Sequence, residues 1–397
     1  MDLLQLAESY GTPLYVYDSA IIIRNYERFR RAFDVPQLDI HYAAKALGNI
    51  SILRLMKSIG ARLDCVSVQE VRLGLMAGFA PGEIIYTPNS VSEAEYEAAI
   101  GLGVGINVDS LQMLEYMGVN HPRQPLCLRI NPHLMAGGNK KISVGHIDSK
   151  FGISIHQMPL ARRIIRNFGI PIRGLHVHTG SDIIDPEIFI RASELIFAEA
   201  MNFEELDYID FGSGFKVKYR DSDLSTDIEE LGRSFSREFN EFCVEYGREL
   251  ALKFEPGKYL VSESGSFLAR VNLIKQTTAC TFAGLDTGFN HLIRPMFYDA
   301  WHEITNLSNP DGERKLYTIV GYLCETDTFG ADRVVGEIRK GDVLRFANAG
   351  AYCYAMSSNY NSRFRPAEVL IHNGRDYLIR RRETLDDLVR TQPDPAL

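Results

Sequence analysis

A repeat of short apolar segments constrains the fold of this chain more than any other feature. Eight segments rich in Val, Ile, Leu and Tyr end in polar or glycine residues, and helical periodicity follows them. In order they are LDIHYAAK, ARLDCVS, EIIYTPNS, GINVDS, PLCLRINP, IRGLHVHTGSD, LDYIDFGSG and ALKFEPGK. Strands that alternate with helical patterns indicate βαβ units and a parallel sheet, so the chain is predicted to be an α/β protein.

The spacing of the segment ends distinguishes two parallel architectures. The ends of the first five segments lie roughly 22 residues apart, the length of one short strand plus one short helix. Eight consecutive units favour a closed (β/α)8 TIM barrel, and an open doubly wound sheet is the alternative. The later steps are longer, and we expect their extra residues to form loops at the functional rim.

The pattern of apolar and polar residues changes near residue 260. From there apolar and polar residues alternate, and the run IHNGRDY is typical of a β-hairpin because Asn-Gly suits a type I′ turn. We predict a barrel over residues 25–262 and an all-β C-terminal domain over residues 263–397. Residues 1–24, which hold the run PLYVYD, are predicted to add a strand to that second domain.

Charge and composition exclude several classes of protein. A net charge of −8 predicts no broad basic surface, and therefore no nucleic-acid partner. No run approaches the length of apolar chain that a membrane span needs, and the N-terminus lacks the basic start of a signal peptide. The six cysteines are scattered without a C-x-x-C pair, which indicates reduced thiols in a cytoplasmic protein.

The active site of a parallel barrel lies at the carboxyl ends of its strands. The segment ends carry Lys45, Ser67, Asn89, Asp109, Asn131, His178, the turn Gly212-Ser213-Gly214, and Glu255. This set has no convincing metal-ligand spacing, so no metal site is predicted.

Two glycine turns follow the seventh and eighth segments, where such barrels usually bind phosphate. They are Gly212-Ser213-Gly214 and the run from Glu255 to Lys258 that contains Gly257. Glycine lets backbone N–H groups approach phosphate oxygens, although each turn could also be only a tight turn. Lys45 could be an ordinary solvated lysine or could form a Schiff base. A phosphate site together with such a lysine suggests pyridoxal phosphate.

Two further barrel residues suit that cofactor. A protonated pyridine nitrogen needs a carboxylate partner, for which Glu255 is the candidate, and His178 could lie flat on the ring. Glu255 also has a structural alternative, since a carboxylate at a strand end can stabilise a helix terminus. His176 is expected on the other face of its strand, as a structural histidine.

The β domain holds three more clusters. In the run GYLCETD, Cys324 beside Glu325 could donate a proton, or could be a small buried hydrophobe. Tyr352 in the run GAY could donate to phosphate or fill a core. Arg294, in RPMFY with Tyr298, is suited to bind a carboxylate through its guanidinium fork.

Taken together, these motifs resemble those of the fold-type III pyridoxal-phosphate decarboxylases, the family that includes alanine racemase-like and ornithine decarboxylase-like proteins. The matching runs extend in family order over nearly the whole chain: YAAKAL, LDCVSVQE, LRINP, SKFGI, HVHTGS, DFGSG, EPGK, DTGFNHLIRPMFYDAWH, CETDTF, GAYCYAMSSNYNSRFRPAEVL and RRRET. The set resembles that of members which decarboxylate meso-2,6-diaminopimelate to L-lysine and CO₂, the last step of lysine biosynthesis.

The resemblance implies a role for each matched residue. Lys45 would bind pyridoxal phosphate covalently, and Cys324 would protonate the substrate carbon after CO₂ leaves. The other residues expected around the cofactor are His178, Ser181, Gly212, Ser213, Gly214, Glu255, Gly257, Lys258 and Tyr352. Those expected to contact the substrate are Lys258, Arg294, Tyr298, Glu325 and Tyr352. The resemblance also implies a homodimer in which Cys324 and Glu325 enter the partner's site.

Two departures and several alternatives remain. The family usually has glycine at Ser213 and arginine at Lys258, and lysine lacks a bidentate fork. Decarboxylation of ornithine or lysine is the nearest alternative, although its family usually has aspartate at the position of Glu325. Carboxynorspermidine decarboxylation, a non-catalytic protein of the same fold, and a racemase are further alternatives. Retention of Lys45, Glu255 and Cys324 argues against the non-catalytic one.

Overall fold

The computed structural model describes residues 1–133, 149–178, 180 and 186–393. The strands are β1 (Leu14–Asp18), β2 (Leu38–Ala43), β3 (Arg62–Cys65), β4 (Ile84–Tyr86), β5 (Gly105–Val108), β6 (Leu126–Asn131), β7 (Ile153–Ser154), β8 (Ile172–Val177), β9 (Tyr208–Asp210), β10 (Ala251–Phe254), β11 (Gly265–Gln276), β12 (Thr281–Leu285), β13 (Ile304–Asn306), β14 (Arg314–Val320), β15 (Thr328–Gly336), β16 (Val343–Phe346), β17 (Ala367–His372) and β18 (Arg375–Arg380). The α-helices are α1 (Leu3–Tyr10), α2 (Ser19–Ala32), α3 (Ile50–Ser58), α4 (Val68–Ala77), α5 (Glu93–Gly101), α6 (Leu111–Asn120), α7 (Met158–Phe168), α8 (Pro186–Ala200), α9 (Ile228–Tyr246), α10 (Lys258–Val261), α11 (Arg294–Tyr298) and α12 (Leu385–Val389).

Eight of these strands close into a parallel barrel. Their order is β5-β4-β3-β2-β10-β9-β8-β6, and β5 pairs with β6 to complete the circle. All eight correspond to the apolar segments of the sequence, so the TIM barrel is confirmed over the open doubly wound sheet. The two-residue strand β7 pairs with β6 outside this circle.

The chain divides into two compact units. The barrel unit comprises residues 25–218 and 224–260, and the sheet unit comprises residues 1–24, 219–223 and 261–397. The segment Tyr219–Asp223, which lies within the barrel's stretch of sequence, therefore belongs to the sheet unit.

The sheet unit is built on a mixed sheet in the order β15-β14-β12-β11-β1-β17-β18, and β16 joins β11 to β13. The N-terminal strand β1 pairs antiparallel with β11 and parallel with β17. The hairpin of β17 and β18 turns at Asn373 and Gly374, which both have positive φ, as the Asn-Gly pair predicts. Within the described residues, no helix is long and apolar enough to cross a membrane.

An aromatic cluster in the barrel unit supports the ends of two strands. Phe211 and Phe254 directly precede Gly212 and Glu255, and both side chains are buried. The ring of Phe235 on α9 lies 4.9 Å from that of Phe211 and 6.0 Å from that of Phe254. Because close-packed rings resist displacement, this cluster holds the backbone that carries the two predicted cofactor-binding residues.

A stability prediction follows from the contact of α9 with α2. A Cβ atom at Gly232 would lie 2.1 Å from the backbone oxygen of Ala32, which cannot move aside like a flexible side chain. We expect Gly232→Ala to lower the free energy of unfolding by about 1–3 kcal/mol, through overpacking. Urea denaturation measures the change. Gly101→Ala, at a site with nothing within 4 Å of the added Cβ, should leave stability unchanged or slightly higher. Equal midpoints for the two variants would contradict the prediction.

Candidate active site

The predicted barrel residues meet at the carboxyl ends of adjacent strands. Lys45 lies in a 3₁₀ turn, Ala44–Ala46, that directly follows β2, and Glu255 directly follows β10. Because β10 pairs in parallel with β2, these two ends are neighbours. The positive charge of Lys45 is one of the influences that lower the pKa of Glu255. The structure thus brings together an amine and a carboxylate that lie far apart in sequence.

Glu255 is a buried carboxylate held in its ionised form. Burial by itself raises its pKa, but His176 outweighs burial with help from Lys45 and His178, and the net pKa lies below its ordinary value. Nε2 of His176 lies 3.3 Å from one carboxylate oxygen. Among the described residues, the other oxygen, Oε1, has no hydrogen-bond partner. Glu255 can therefore still accept a hydrogen bond from a ligand.

His178 is fixed by the glycine turn and is neutral at physiological pH. The backbone N–H of Ser213 donates to its Nδ1 at 3.1 Å. Desolvation, followed by the charges of Arg129 and Lys45, lowers the pKa of His178 well below its usual value. A Cβ at Gly212 would lie 2.6 Å from the same Nδ1, so only glycine permits this approach. The imidazole is thus an uncharged, oriented ring.

The glycine turn itself is tied to the neighbouring strands. The N–H of Gly212 donates to Oδ1 of Asp210 at 2.8 Å, and its carbonyl accepts from the N–H of Glu255 at 2.6 Å. Gly212 and Gly214 have φ values of +59° and +135°, which favour glycine. Asp210 and His178 already accept from the N–H groups of Gly212 and Ser213, so among the described residues the N–H of Gly214 is the donor of this turn that can bind phosphate.

The second predicted turn leads directly into α10. The carbonyl of Gly257 accepts from the N–H of Leu260 at 3.1 Å, and Lys258 is the first residue of the helix. Ser181 lies outside the described residues.

Asp64 and Arg129 are site residues that the sequence analysis missed. Oδ2 of Asp64 lies 4.0 Å from Nζ of Lys45, and the carboxylate is only 1% exposed. Burial, followed by the charge of Glu255, raises the pKa of Asp64 to about 8. Arg129 is buried on β6, with its guanidinium 4.7 Å from the centre of the Phe151 ring. Both lie inside apolar segments. The only signal in the sequence was that a charged residue is unusual within a strand that is otherwise apolar and buried.

His176 was expected on the face opposite His178, but residues two apart in a strand share a face, and Nε2 of His176 lies 3.3 Å from a carboxylate oxygen of Glu255. The ligand-type atoms of His176, Asp210 and Glu255 lie within 4.8 Å of one another, and all three are buried. These donors could hold a metal ion, so the absence of a metal site stays a prediction.

Three other strand-end residues have local structural roles. The side chain of Ser67 caps α4 by accepting from the N–H of Glu70. The amide of Asn89 donates to Asp109 at 2.5 Å. These contacts account for their position without a ligand.

In the sheet unit, Arg294 is buried at the start of α11. One of its guanidinium N–H groups donates to the hydroxyl of Tyr219 at 2.8 Å and faces Nε2 of His302 at 3.3 Å. Nδ1 of His302 donates to the carbonyl of Ala347, so Nε2 accepts, and burial and Arg294 lower the pKa of His302 to about 3. Within the described chain, Nε of Arg294 has no hydrogen-bond partner.

The remaining predicted residues also lie in the sheet unit. Cys324 and Glu325 are exposed in the loop between β14 and β15, and Cys324 is a free thiol. Tyr298 ends α11, and its ring lies 4.6 Å from that of Phe297. Tyr352 is half-buried and has a φ of +57°.

Comparisons with known proteins agree with this geometry. Residues 19–262 match the family model described as "Pyridoxal-dependent decarboxylase, pyridoxal binding domain". The chain belongs to this family. A protein named diaminopimelate decarboxylase from Methanothermobacter thermautotrophicus is 39% identical over 406 residues, covering 100% of this chain and 95% of the relative.

Two solved structures extend the comparison. Diaminopimelate decarboxylase from Helicobacter pylori, complexed with L-lysine, is 29% identical with a TM-score of 0.89, covering 98% of each chain. A lysine/ornithine decarboxylase from Vibrio vulnificus, complexed with putrescine, is 22% identical with a TM-score of 0.81. It covers 93% of this chain and 97% of that chain, and its likeness concerns the fold alone.

The barrel residues fit the cofactor of this pyridoxal-dependent family. An ionised, buried carboxylate with a vacant oxygen, Oε1 of Glu255, suits a protonated ring nitrogen. The neutral ring of His178 suits an aromatic face, and the N–H of Gly214, in a turn that only glycine readily adopts, suits a phosphate. Lys45 supplies the amine. The resemblance to pyridoxal-phosphate decarboxylases is confirmed, while the individual residue roles stay predictions.

Proposed function

We propose that this protein decarboxylates meso-2,6-diaminopimelate at its D centre, giving L-lysine and CO₂ as the last step of lysine biosynthesis. The likeness of the whole chain, through both units, to proteins named diaminopimelate decarboxylase carries the proposal. The alternative is a decarboxylase of a related basic amino acid: ornithine, lysine or carboxynorspermidine. A non-catalytic homologue would have no use for a buried, ionised Glu255 beside Lys45.

When bound, pyridoxal phosphate supplies an electron sink for the carbon that loses its carboxylate. Lys45 would hold the cofactor covalently, and Glu255 would pair with the ring nitrogen. His178 would support the ring face as an uncharged imidazole, because burial lowers its pKa. The residues that would surround the phosphate are Ser181, Gly212, Ser213, Gly214, Gly257 and Tyr352. Asp64, 4.0 Å from the amine of Lys45, restricts where that amine can lie.

The far end of diaminopimelate carries an ammonium and a carboxylate. The ammonium needs a carboxylate side chain in the protein, and the carboxylate needs a positively charged one. Arg294 binds the carboxylate through its guanidinium, which Tyr219 and His302 hold in place and whose buried Nε has no hydrogen-bond partner among the described residues. Glu325 binds the ammonium, and Tyr298 and Tyr352 line the substrate. Lys258 contributes a point charge where a bidentate fork would bind more strongly.

Cys324 is the proton donor to the substrate carbon once CO₂ has left. Its exposure on a loop gives the thiol access to a substrate. We propose that the protein is a homodimer in which Cys324 and Glu325 serve the partner's site. A cytoplasmic location is proposed with it, because the thiol must stay reduced.

The choice of substrate can be tested by CO₂ release. We expect kcat/KM of the purified protein with pyridoxal phosphate to be at least about a hundredfold higher for meso-diaminopimelate than for L-ornithine, L-lysine or carboxynorspermidine. A substrate without the distal carboxylate would leave the buried guanidinium of Arg294 unpaired. Heat-denatured protein is the control. Activity on one of the last three substrates alone would overturn the proposal.

A further inference from the structure

The loop that carries Cys324 and Glu325 has a rigid base and an exposed tip. Leu323 and Asp327 are buried, whereas residues 324–326 are exposed. The carboxylate of Asp327 accepts from the N–H of Phe289 at 2.6 Å and from the N–H of Leu323 at 3.0 Å. Burial and these two hydrogen bonds fix the base, whereas Cys324 and Glu325 at the exposed tip depend on hydrogen bonds to other segments of the chain.

Two consecutive residues supply those hydrogen bonds. Oδ1 of Asn361 accepts from the N–H of Cys324 at 3.1 Å, and the hydroxyl of Tyr360 donates to Oε1 of Glu325 at 2.9 Å. We propose that the side chains of Tyr360 and Asn361, here called the clamp, are positioning residues that set the thiol and the carboxylate for the reaction. The inference rests on the proposed function, in which Cys324 and Glu325 act on the substrate.

The clamp is itself held in place. The ring of Tyr360 stacks on Phe289 at 5.6 Å, and the N–H of Phe289 is the one that binds Asp327, so one residue supports both base and tip. Behind the clamp, the N–H of Ser358 donates to the carbonyl of Asn290 at 2.8 Å.

The backbone at Asn361 suits its contact with Cys324. Its φ of +54° lies in the left-handed region, which asparagine tolerates better than most residues do. The conformation places the side-chain oxygen of Asn361 on the Cys324 amide.

The two halves of the clamp should affect different kinetic constants. The Tyr360 hydroxyl occupies Oε1 of Glu325 and so fixes the carboxylate, leaving Oε2 for the substrate ammonium under the proposed function. Loss of that hydroxyl should weaken substrate binding. Asn361 orients the backbone of Cys324, so its loss should slow proton donation, a step that occurs only in the transition state.

Tyr360→Phe tests the first half, because it removes the hydroxyl and keeps the stacked ring. We expect KM for meso-diaminopimelate to rise about fivefold to tenfold and kcat to change less than twofold. Tyr10→Phe is the matched control, since Tyr10 also donates to an exposed carboxylate, Asp376, in the same unit. An unchanged KM for Tyr360→Phe, or an equal rise in the control, would overturn this half.

A pair of variants at Asn361 tests the second half. Asn361→Gly keeps the left-handed backbone and removes the acceptor, whereas Asn361→Asp keeps an acceptor. We expect the glycine variant to lower kcat about tenfold with little change in KM, and the aspartate variant to recover most of kcat. Full activity of the glycine variant would show that only backbone conformation matters and would overturn the proposal.

Hydrogen exchange separates this inference from the proposed function, because it needs no substrate. The Cys324 amide should exchange about tenfold faster in Asn361→Gly than in the wild type or in Asn361→Asp. Mass spectrometry with fragmentation resolves this amide. An unchanged exchange rate would refute the clamp even in an active enzyme. A wild type inactive on every substrate would refute the proposed function and leave the exchange result to decide the geometry of the clamp.

Discussion

Lys45→Ala is expected to lower decarboxylation at least about a thousandfold and to remove the visible absorbance of the lysine-bound cofactor. The physical reason is position. Lys45 follows β2 and lies beside the buried side chains of Asp64 and Glu255, which hold its amine in one position. A free amine added to the variant would not be held in that position and could not replace Lys45. The absorbance spectrum before and after borohydride reduction, together with CO₂ release, measures both effects.

A matched variant and a folding check complete this test. Lys57→Ala removes a lysine of the same barrel that pairs with Glu83, and it should keep the absorbance and the activity. Circular dichroism should show that both variants are folded. A borohydride-reducible band that persists in Lys45→Ala would show that another amine binds the cofactor.

Cys324→Ala is expected to lower kcat by about 10²–10³-fold and to change KM less than twofold, because proton donation acts in the transition state. Steady-state kinetics with meso-diaminopimelate measures the split. Cys280→Ala, which removes another thiol of the sheet unit, should leave both constants unchanged. A normal kcat for Cys324→Ala would exclude Cys324 as the proton donor.

Mixing the two inactive variants tests the proposed dimer. If Cys324 serves the partner's site, a mixed dimer of Lys45→Ala and Cys324→Ala contains one intact site. Random reassociation of equal amounts should then restore about a quarter of wild-type activity. If Cys324 served its own subunit, both sites of the mixed dimer would stay defective and no activity would return.

Much of the fold could be predicted from the sequence, because the spacing of apolar residues indicates which faces of the strands and helices are buried. Each barrel strand is buried on both faces, which makes it an apolar run, and the polar residue at its end marks the rim. The Asn373-Gly374 hairpin was predictable for a local reason, because those residues adopt positive φ at little cost. Lys45, His178 and Glu255 could be found because each ends a strand.

Other site residues could not be found in this way. Asp64 and Arg129 lie inside their strands, where charge has no periodic signature, and what they contact depends on which strands become neighbours. His176 was assigned to the wrong face, because alternation places it on the same face as His178, and only the structure shows that Glu255 lies 3.3 Å away. Tyr360 and Asn361 were part of a matched motif, but their hydrogen bonds to Glu325 and Cys324 join residues that lie 35 and 37 positions apart in the chain. Local sequence patterns do not reveal such contacts.

The sequence by itself determined the eight βα units, the second domain and the residue types at the barrel rim, because these depend on local periodicity and turn chemistry. Only the tertiary structure decided the charge states. Glu255 is ionised because groups on other strands outweigh the effect of its burial, and His178 is neutral because burial and neighbouring positive charges both lower its pKa. It also decided how the exposed tip at Cys324 is held, since hydrogen bonds between distant segments form only once the chain has folded.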